Sequence, residues 1–365
     1  MKARIVIGAN YGDEGKGTVV ASYTCKGNNV LNVLTNGGAQ RAHSILTDQG
    51  NITFQHFGSG TYHGADNYYS RFFILNPMQF VQEYEELIVK PTHVFRDKRC
   101  RWSTPFDTMA NIITEESMKR HCSCGMGIWK TIKRYHETQA VAFDVFMSMT
   151  PEHKLAFLQT VKAYYERSLT IPEHWKSIWN SPVLLLHFIN DCEFMQRHTV
   201  ACELKDLNYE EMIFENGQGL LLSDTGKDTP DTTPSNTGIR YALDLLSDID
   251  TDDITAHYVT RPYLTRHGDG HLNDEAKRLS ICSTIDEDRT NHYNDHQGDF
   301  RYGHLDINAL HDRIIADAGN IKTVLEVTHC DEMDRVGEFK KLFPEVHVYD
   351  SPIVPSYNLK FPTFM

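Results

Sequence analysis

Short apolar runs alternate with segments of helical periodicity along most of this chain. Apolar runs bounded by glycine or polar turns are typical of buried strands, and apolar residues three or four positions apart are typical of helices. The predicted strands, two of which run into a glycine turn, lie at residues 3–9, 29–38, 212–222, 256–263, 322–329 and 346–350. The predicted helices lie at 16–25, 77–87, 152–168, 182–198 and 332–343. This alternation predicts an α/β fold with a mainly parallel central sheet.

The two strongest helical patterns, 152–168 and 182–198, follow each other with no strand between them, which predicts a helical insertion. The chain has 365 residues, a length that one large α/β domain with insertions can reach. No internal repeat or low-complexity linker divides the sequence. We therefore expect residues 1–365 to form a single domain.

Composition excludes several classes of protein. Hydrophobic residues make up 40% of the chain and charged residues 23%, as in ordinary globular proteins. The net charge of −13 argues against a general binder of nucleic acid or of membrane surfaces, because both need a basic surface. The N-terminal apolar run is typical of a first strand and not of a signal peptide, and no run approaches the ~18 apolar residues of a membrane span. The eight cysteines show no pairing frame. These features favour a cytoplasmic protein.

Four glycine-rich or polar loops follow predicted strands. Their sequences are GANYGDEGKG (8–17), NGGAQRAHS (36–44), ENGQG (215–219) and TRHGDG (265–270). In an open parallel sheet, loops of this kind meet at the carboxyl edge of the strands, where ligands bind. We expect these loops to form one polar site.

The first loop has the chemistry of a phosphate site without the Walker pattern. That pattern needs Gly where this chain has Asn10, and Ser or Thr where it has Gly17. The backbone N–H groups of the loop and Lys16 are suited to phosphates at the start of a helix. Asp13 is suited either to bind Mg²⁺ or to act as a base. The alternative is a tight structural turn that binds nothing.

Six motifs, in the same order along most of the chain, resemble those of the adenylosuccinate synthetase family. The first loop resembles the family's GDEGKGK, and the second resembles its GGHNAGHT. ENGQG resembles EGAQG, TTPSNT (232–237) resembles TSSNT, YLTRHGDG (263–270) resembles YSTRVGAG, and VTHCD (327–331) resembles TKLD. The resemblance implies a ligase that joins L-aspartate to C6 of a 6-oxopurine monophosphate while it splits a nucleoside triphosphate.

The resemblance assigns four catalytic residues. Asp13 would take the proton from N1 of the purine, and His43 would act as general acid toward O6 and the phosphoryl group. Lys16 would stabilise the transferring phosphoryl group, and Gln218 would contact the purine. Asp13 and the backbone carbonyl of Ala42 would bind Mg²⁺. Outside the motif, a lone histidine such as His43 is more often a hydrogen-bonded structural residue.

The resemblance also implies a set of residues that bind phosphate and nucleotide groups. They are Asn10, Gly12, Glu14, Gly15, Gly17, Ser123, Cys124, Thr233, His329, Asp331, Ser351 and Pro352. Ser123 and Thr233 are also suited to a turn or a helix cap.

One segment departs from the family. Where the family has TTGRRRRTGWLD, this chain has DHQGDFRYGHLD (295–306). Arg301 keeps one arginine, and Asp299 replaces another that in the family also approaches the ribose. Loss of that arginine relaxes the need for a 2′-OH, and an acid there can accept a hydrogen bond from the 2-amino group of guanine. The expected aspartate and ribose region comprises Thr265, Arg266, Gln297, Asp299 and Arg301.

The short chain and the QGDFR sequence resemble most the bacteriophage branch of the family, which makes 2-aminoadenine nucleotides. We therefore expect dGMP as the purine substrate, in the host cytoplasm if the chain is phage-encoded. IMP is the alternative substrate, because members of that branch often have Ser at this position and the present chain has Asp13. The phosphoryl donor stays open. Asp331 favours GTP, whereas His329 in place of the family's Lys, with the ATP use of the phage branch, favours ATP.

The resemblance also implies a homodimer, in which a neighbouring chain supplies an arginine to the monophosphate. Lys133 or Arg134 lies at about the right place. Two other classes of protein are the alternatives. A P-loop NTPase or guanylate-type kinase should contain a Walker motif or a base-proximal lid of Lys and Arg, and neither is evident in the sequence. An inactive nucleotide-binding protein is disfavoured, because all four catalytic residues named above are retained.

Overall fold

A computed structural model describes residues 1–27, 29–48, 50–119, 123–139, 141–224, 232–288, 291, 298–350 and 354. The strands are β1 (Lys2–Gly8), β2 (Val30–Leu34), β3 (His43–Thr47), β4 (Gly50–Phe54), β5 (Asp66–Tyr69), β6 (Ile74–Leu75), β7 (Val94–Arg96), β8 (Arg101–Trp102), β9 (Val200–Ala201), β10 (Glu211–Gly219), β11 (Asp253–Thr260), β12 (Leu264–His267), β13 (Glu275–Ala276), β14 (Phe300–Gly303), β15 (Lys322–Val327) and β16 (Val346–Val348). The helices are α1 (Lys16–Thr24), α2 (Pro77–Glu86), α3 (Pro105–Met118), α4 (Ile128–Glu137), α5 (Phe143–Met147), α6 (Pro151–Glu166), α7 (Glu173–Trp179), α8 (Pro182–His198), α9 (Arg240–Leu246), α10 (Arg278–Ile281), α11 (Ile307–Ala318) and α12 (Val336–Phe339).

Within these ranges, nine strands form one parallel sheet in the order β16-β15-β11-β1-β10-β2-β5-β7-β9. Strand β1 lies inside the sheet, and its Ile5 faces Phe214 of β10 and Ala256 of β11. The strand is apolar because both of its faces are buried: Ile5 belongs to one core cluster and Val6 to another.

The strand order explains where the polar loops meet. Strands β11, β1, β10 and β2 are consecutive neighbours and run in the same direction, so the loops that follow them lie at one edge of the sheet. The fourth polar loop reaches the same edge because β12 starts only a few residues after β11 ends. Strand β12 then pairs with β14 in a small antiparallel sheet.

Helices α3 to α8 form the predicted insertion between β8 and β9. Several helices begin where the sequence places a polar cap before a proline at the first helical position, as Thr150 does before Pro151 and Ser181 before Pro182. Helix α3 begins with a capping box, in which Thr104 and Asp107 bind each other's backbone. These caps satisfy backbone N–H groups that have no partner within the first turn of each helix.

The structure confirms the α/β class and the mainly parallel sheet. The helices predicted at 16–25, 77–87, 152–168 and 182–198 are α1, α2, α6 and α8, with ends that agree within two residues. The helix predicted at 332–343 is wrong in length, because α12 spans only Val336–Phe339. The side chain of Asp334 accepts a hydrogen bond from the backbone N–H of Val336 at 3.0 Å and fixes this late start. Helix α11 and the hairpin of β3 and β4 were not predicted.

Candidate active site

The four polar loops enclose a cavity of about 490 Å³ at the carboxyl edge of the sheet. Its walls include all four predicted catalytic residues, Asp13, Lys16, His43 and Gln218. Other predicted site residues on its walls are Gly12, Ala42, Ser123, Cys124, Thr233 and Arg266. The structure therefore brings together side chains from the first loop, the second loop, β10, the α3–α4 turn and β12.

Glu14, one of the two acids inside the first loop, binds the backbone of the loop itself. One carboxylate oxygen of Glu14 accepts hydrogen bonds from the backbone N–H groups of Asn10 and Gly12, each at 2.9 Å. The other oxygen lies 3.2 Å from the ammonium of Lys16, and both side chains are buried. Glu14 thus satisfies donors that a Walker loop would direct at a phosphate. This internal anion explains why the loop departs from the Walker pattern.

Two glycines of the loop are required by its shape. Gly15 precedes α1 with a φ of +91°, a left-handed conformation that glycine adopts without strain. A Cβ atom on Gly17 would lie 2.7 Å from the backbone oxygen of Ser44, closer than real Cβ contacts. The second loop can therefore pack directly against the start of α1, which places its histidine next to Lys16.

Asp13 stands in the cavity with its carboxylate against a histidine. One carboxylate oxygen lies 3.2 Å from Nδ1 of His267, and its backbone carbonyl accepts a hydrogen bond from Arg261 at 2.8 Å. Burial acts to raise the pKa of Asp13, but the hydrogen bond from His267 and the charges of Lys16 and Arg261 outweigh it and lower the pKa. Asp13 is therefore an ionised acceptor at neutral pH.

His43 is held by a buried carboxylate that the sequence analysis did not single out. Its Nδ1 lies 2.5 Å from a carboxylate oxygen of Glu215, which also accepts from the hydroxyl of Ser59 at 2.7 Å. The same oxygen lies 3.1 Å from the guanidinium of Arg41. Because the ionised carboxylate of Glu215 can only accept, the contact at 2.5 Å places a proton on Nδ1 of His43, and in the neutral ring Nε2 carries none.

The charges around His43 keep it neutral. Burial, and then the positive charges of Arg41 and Lys16, lower the pKa of His43 to about 4, although Glu215 acts in the opposite direction. The carboxyl of Glu215 is ionised, since Arg41 and His43 outweigh the effect of burial and lower its pKa well below the usual value. The free site thus holds a neutral imidazole oriented by a carboxylate, as in other acid and base catalysts.

Arg41 stands where the family's GGHNAGHT loop has Ala, and it is 1% exposed. Its Nε and Nη1 groups have no hydrogen-bond partner within the part of the chain that the structure describes. The sequence signal for Arg41 is this departure from the motif. The signal for Glu215 is its place as the first residue of ENGQG.

Three residues predicted to bind phosphate or nucleotide groups, Ser123, Cys124 and Thr233, line the cavity. The hydroxyl of Ser123 donates to Glu115 at 2.5 Å and accepts from Asn111 at 3.0 Å. Burial raises the pKa of Cys124 to about 11, so it is a neutral thiol. The backbone N–H of Thr233 donates to Leu222, which leaves its side chain on the cavity wall.

A smaller cavity of about 70 Å³ also has Asp13 and Lys16 on its walls. Its walls include Gly15 and Gly17 of the first loop and His329 after β15. Burial and the nearby Arg261 lower the pKa of His329 far below its usual value, so this ring is uncharged. The two cavities share Asp13, Lys16, Ala42, His43 and Asn291.

Several predicted site residues lie elsewhere. The described walls of the two cavities do not include Asn10, Glu14, Thr265, Asp299, Arg301 or Asp331. Asn10 binds Thr260 and Arg313, and Asp299 and Asp331 are exposed. Arg301 binds Glu275 at 2.7 Å and two backbone carbonyls, so its contacts in this structure are within the chain. The predictions at Gln297, Ser351 and Pro352 lie outside the described residues.

Of the two residues expected to reach a neighbouring chain, Lys133 and Arg134, one is held inside its own chain. Arg134 is buried and forms two hydrogen bonds with Asp107, at 2.7 and 2.9 Å. This pair joins α3 to α4 within one chain, because Asp107 belongs to α3 and Arg134 to α4. Arg134 is therefore a structural residue and is not available to a neighbouring chain. Lys133 is 64% exposed and is the candidate that remains.

The residues that would bind Mg²⁺ fit a phosphate-bound ion. Within the described ranges, no group of three or more His, Cys, Asp or Glu side chains could hold a metal alone. Asp13 and Ala42 both lie on the walls of the two cavities, beside the phosphate loop. One carboxylate and one carbonyl suit Mg²⁺, which keeps several waters and binds substrate phosphates.

The fold and site together define an α/β enzyme that binds nucleotides at the carboxyl edge of a parallel sheet. The sequence profile of the adenylosuccinate synthetase family matches residues 5–341, and the chain belongs to this family of carbon–nitrogen ligases in purine nucleotide synthesis. A search of curated proteins finds no significant match. No helix in the described part of the chain is long and apolar enough to cross a membrane.

Two solved structures are similar to this one in fold. The fully ligated adenylosuccinate synthetase from Plasmodium falciparum has a TM-score of 0.71 and 16% identity, and the match covers 91% of this chain and 78% of that one. The succinoaminodeoxyadenylate synthetase PurZ of cyanophage S-2L, bound to dGMP and to dATP as an energy donor, has a TM-score of 0.66 and 12% identity. That match covers 97% of this chain and 93% of the phage chain.

Proposed function

We propose that this ligase condenses L-aspartate with dGMP to give N6-succino-2-amino-2′-deoxyadenylate, with ATP or GTP as the phosphoryl donor. The observation that carries the proposal is that Asp13, Lys16, His43 and Gln218 line one cavity. The cavity extends from the phosphate loop to Ser123 and Thr233, which suits a purine monophosphate with its base at the loop.

The chemistry follows from the positions of these groups. Asp13, held ionised, takes the proton from N1 of the purine, and O6 attacks the γ-phosphorus of the triphosphate, which releases the nucleoside diphosphate. Lys16 offsets the charge on the transferring phosphoryl group. The amine of aspartate then attacks C6, and inorganic phosphate leaves with the electron pair of the C6–O6 bond.

His43 is suited to act late in this sequence. In the free site its Nε2 carries no proton, because positive neighbours and burial hold its pKa at about 4. Negative charge that builds on O6 and the phosphoryl group opposes those neighbours and raises the proton affinity of Nε2. The aspartate amine loses a proton as its nitrogen bonds to C6; Nε2 of His43 takes up this proton and donates it to the phosphate that leaves C6. Asp13 and Ala42 would hold Mg²⁺, which supplies charge neutralisation for the phosphates when bound.

The choice of purine rests on two opposing observations. The phage structure that is bound to dGMP matches 97% of this chain and 93% of its own chain. This similarity in fold supports dGMP as the substrate. Asp13 supports IMP, since the phage branch often has Ser there. Asp299 is exposed and outside the described cavity walls, so its position does not support a contact with the purine or the ribose.

A side-by-side assay of dGMP, GMP, dIMP and IMP, each with aspartate and with ATP, dATP or GTP, tests the proposal. We expect dGMP to give the highest kcat/KM, by roughly tenfold to a few hundredfold. One satisfied hydrogen bond contributes ~0.5–1.5 kcal/mol, and an unpaired buried group costs ~1–3 kcal/mol. The succinylated product is followed by mass. If IMP is the best substrate and dGMP is inert, the chain is an ordinary adenylosuccinate synthetase.

We also propose that the enzyme is a homodimer with Lys133 near the monophosphate of the neighbouring chain. Lys133→Ala is expected to raise KM for the purine monophosphate severalfold with kcat little changed, because one exposed charge contact is lost. Lys162→Ala, on another helix of the insertion, is the control. Sedimentation velocity at micromolar concentration measures the oligomeric state, and a fully active monomer would contradict this proposal.

A further inference from the structure

Asp13 has a backbone conformation that residues with a Cβ atom rarely adopt. Its φ is +60°, in the left-handed region, and the preceding Gly12 is also left-handed at +98°. Such a conformation at a functional site persists only where the surrounding contacts fix it. One of these contacts comes from outside the loop, because the backbone carbonyl of Asp13 accepts the Nε–H of Arg261 at 2.8 Å. The orientation of the Asp13 carboxylate therefore depends on an arginine that lies 248 positions further along the chain.

Arg261 is itself fixed by contacts at its other nitrogen atoms. It follows β11 directly and is 3% exposed. Its Nη2 lies 2.7 Å from a carboxylate oxygen of Asp288, and both side chains of this ion pair are buried. Its Nη1 donates to the hydroxyl of Tyr263 at 3.3 Å, and its guanidinium carbon lies over the ring of Phe300, 5.6 Å from the ring centroid. These contacts hold the guanidinium in the orientation in which Nε faces the first loop.

We propose that Arg261 is a positioning residue, which holds Asp13 in the conformation that directs its carboxylate at N1 of the purine. This inference rests on the proposed function, in which Asp13 takes the N1 proton. Arg261 acts on the backbone of Asp13, so it needs no contact with the substrate. Proton transfer requires the base within hydrogen-bond reach of the proton, and a misplacement of about 1 Å costs about 10²-fold in rate.

The alternative role for Arg261 is a direct contact with a phosphate of the triphosphate, because Arg261 lines the smaller cavity. Each of its three guanidinium nitrogens already has a partner among the described residues: a backbone carbonyl, a hydroxyl and a carboxylate. The two roles differ in the kinetic constant that they change. Loss of a phosphate contact raises KM for the triphosphate, whereas loss of the bond to Asp13 lowers kcat.

Three variants separate the bond to Asp13 from the ion pair. Arg261→Met removes both contacts, and Arg261→Gln removes the charge but places an amide N–H at the position of Nε. Asp288→Asn breaks the ion pair from the other side and leaves Arg261 in place. All three break the same buried ion pair, so all three should lower the urea midpoint. Only Arg261→Met should lower kcat about tenfold to a hundredfold, with KM for the purine monophosphate and the triphosphate changed less than about threefold.

Positional isotope exchange assigns the loss to the step in which Asp13 acts. The triphosphate carries a heavy oxygen isotope in the bridge between the β- and γ-phosphorus atoms, and the assay contains the purine monophosphate without aspartate. Reversible transfer of the γ-phosphoryl group to O6 moves the label to non-bridging positions of the β-phosphate. Arg261→Met should slow this exchange by the same factor as kcat, and Arg261→Gln should recover most of the rate. If Arg261→Met does not fold, Arg261→Met with Asp288→Leu removes both buried charges and tests the same bond.

Two results would overturn the inference while the wild type is active. Equal losses of kcat in Arg261→Met, Arg261→Gln and Asp288→Asn would mean that Arg261 acts only through the stability of the fold. A loss that lies in KM for the triphosphate would mean that Arg261 binds a phosphate. The assays use the purine monophosphate that the wild type turns over fastest, so Arg261 is tested even where this substrate is IMP and the proposal of dGMP fails. A wild type that forms no succinylated product from any of the four purine monophosphates would reject the proposed function, and this role with it.

Discussion

Replacing Asp13 with Asn, or His43 with Ala, is expected to lower turnover by at least ~10²-fold, the usual scale for a general base or acid. Asn keeps the size of Asp13 but cannot take a proton from N1. Ala removes the imidazole that Glu215 orients at 2.5 Å. Both losses should fall mainly on kcat, because each group acts on the reacting atoms. Steady-state kinetics with the best purine monophosphate at saturating triphosphate and aspartate measure them.

Matched exposed residues serve as controls for these two variants. Asp48→Asn and His304→Ala change the same residue types outside the described cavity walls and should keep at least half of the activity. Circular dichroism and the urea midpoint establish that the variants are folded. Near-normal turnover of Asp13→Asn would remove Asp13 as the base, and near-normal turnover of His43→Ala would remove His43 as the acid.

The fold was predictable from the sequence where the spacing of apolar residues matches the faces of the element that are buried. Strand β1 reads as an apolar run because both faces of the central sheet are buried, and α8 reads as a helix from its cap at Ser181 to His198. Strands β3 and β4 left a weaker signal. They form a separate two-stranded sheet, and the exposed positions of β4 mix polar residues into the run.

The site was predictable only as far as its motifs extend. Asp13, Lys16, His43 and Gln218 stand in motifs, and the structure brings them to one cavity. The pairing of His43 with Glu215 joins residues 172 positions apart, and no spacing rule predicts it. His267 and Arg41 were passed over for another reason. Both replace apolar residues of the family loops, and a comparison that looks for matches does not weigh departures.

The second large effect is expected on stability, from the buried trio of Arg41, His43 and Glu215. Glu215→Gln removes the only negative charge in this trio and leaves the guanidinium of Arg41, 1% exposed, without its counter-charge. Breaking a buried ion pair on one side costs about 3–5 kcal/mol, because the remaining charge stays desolvated. Urea unfolding at pH 7.5, followed by tryptophan fluorescence, measures the loss in the free energy of unfolding.

Two further variants test whether this loss comes from the charge of Arg41. Glu211→Gln on the same strand breaks a partly exposed pair with Arg4 and should cost less than about 1 kcal/mol. The double variant Glu215→Gln with Arg41→Met should be more stable than Glu215→Gln alone, since it leaves no unpaired buried charge. If the double variant is as unstable as Glu215→Gln, the carboxylate stabilises the protein through its bonds to Ser59 and His43 and not through Arg41.

The pH dependence of the free energy of unfolding is an independent test of the ion pair between Glu215 and Arg41. Arg41, His43 and Ser59 hold the pKa of Glu215 below its usual value of 4.5 despite burial, so the contribution of this carboxylate to stability is fully present above pH 4.5. That contribution is lost as pH falls through the lowered pKa of the folded state. The difference in unfolding free energy between wild type and Glu215→Gln should therefore be constant from about pH 6 to 8 and should shrink only below about pH 4.5. A difference that grows as the pH falls from 8 to 6 would mean that the folded protein takes up a proton at Glu215 near neutral pH, and His43 would then lack the ionised partner that orients it.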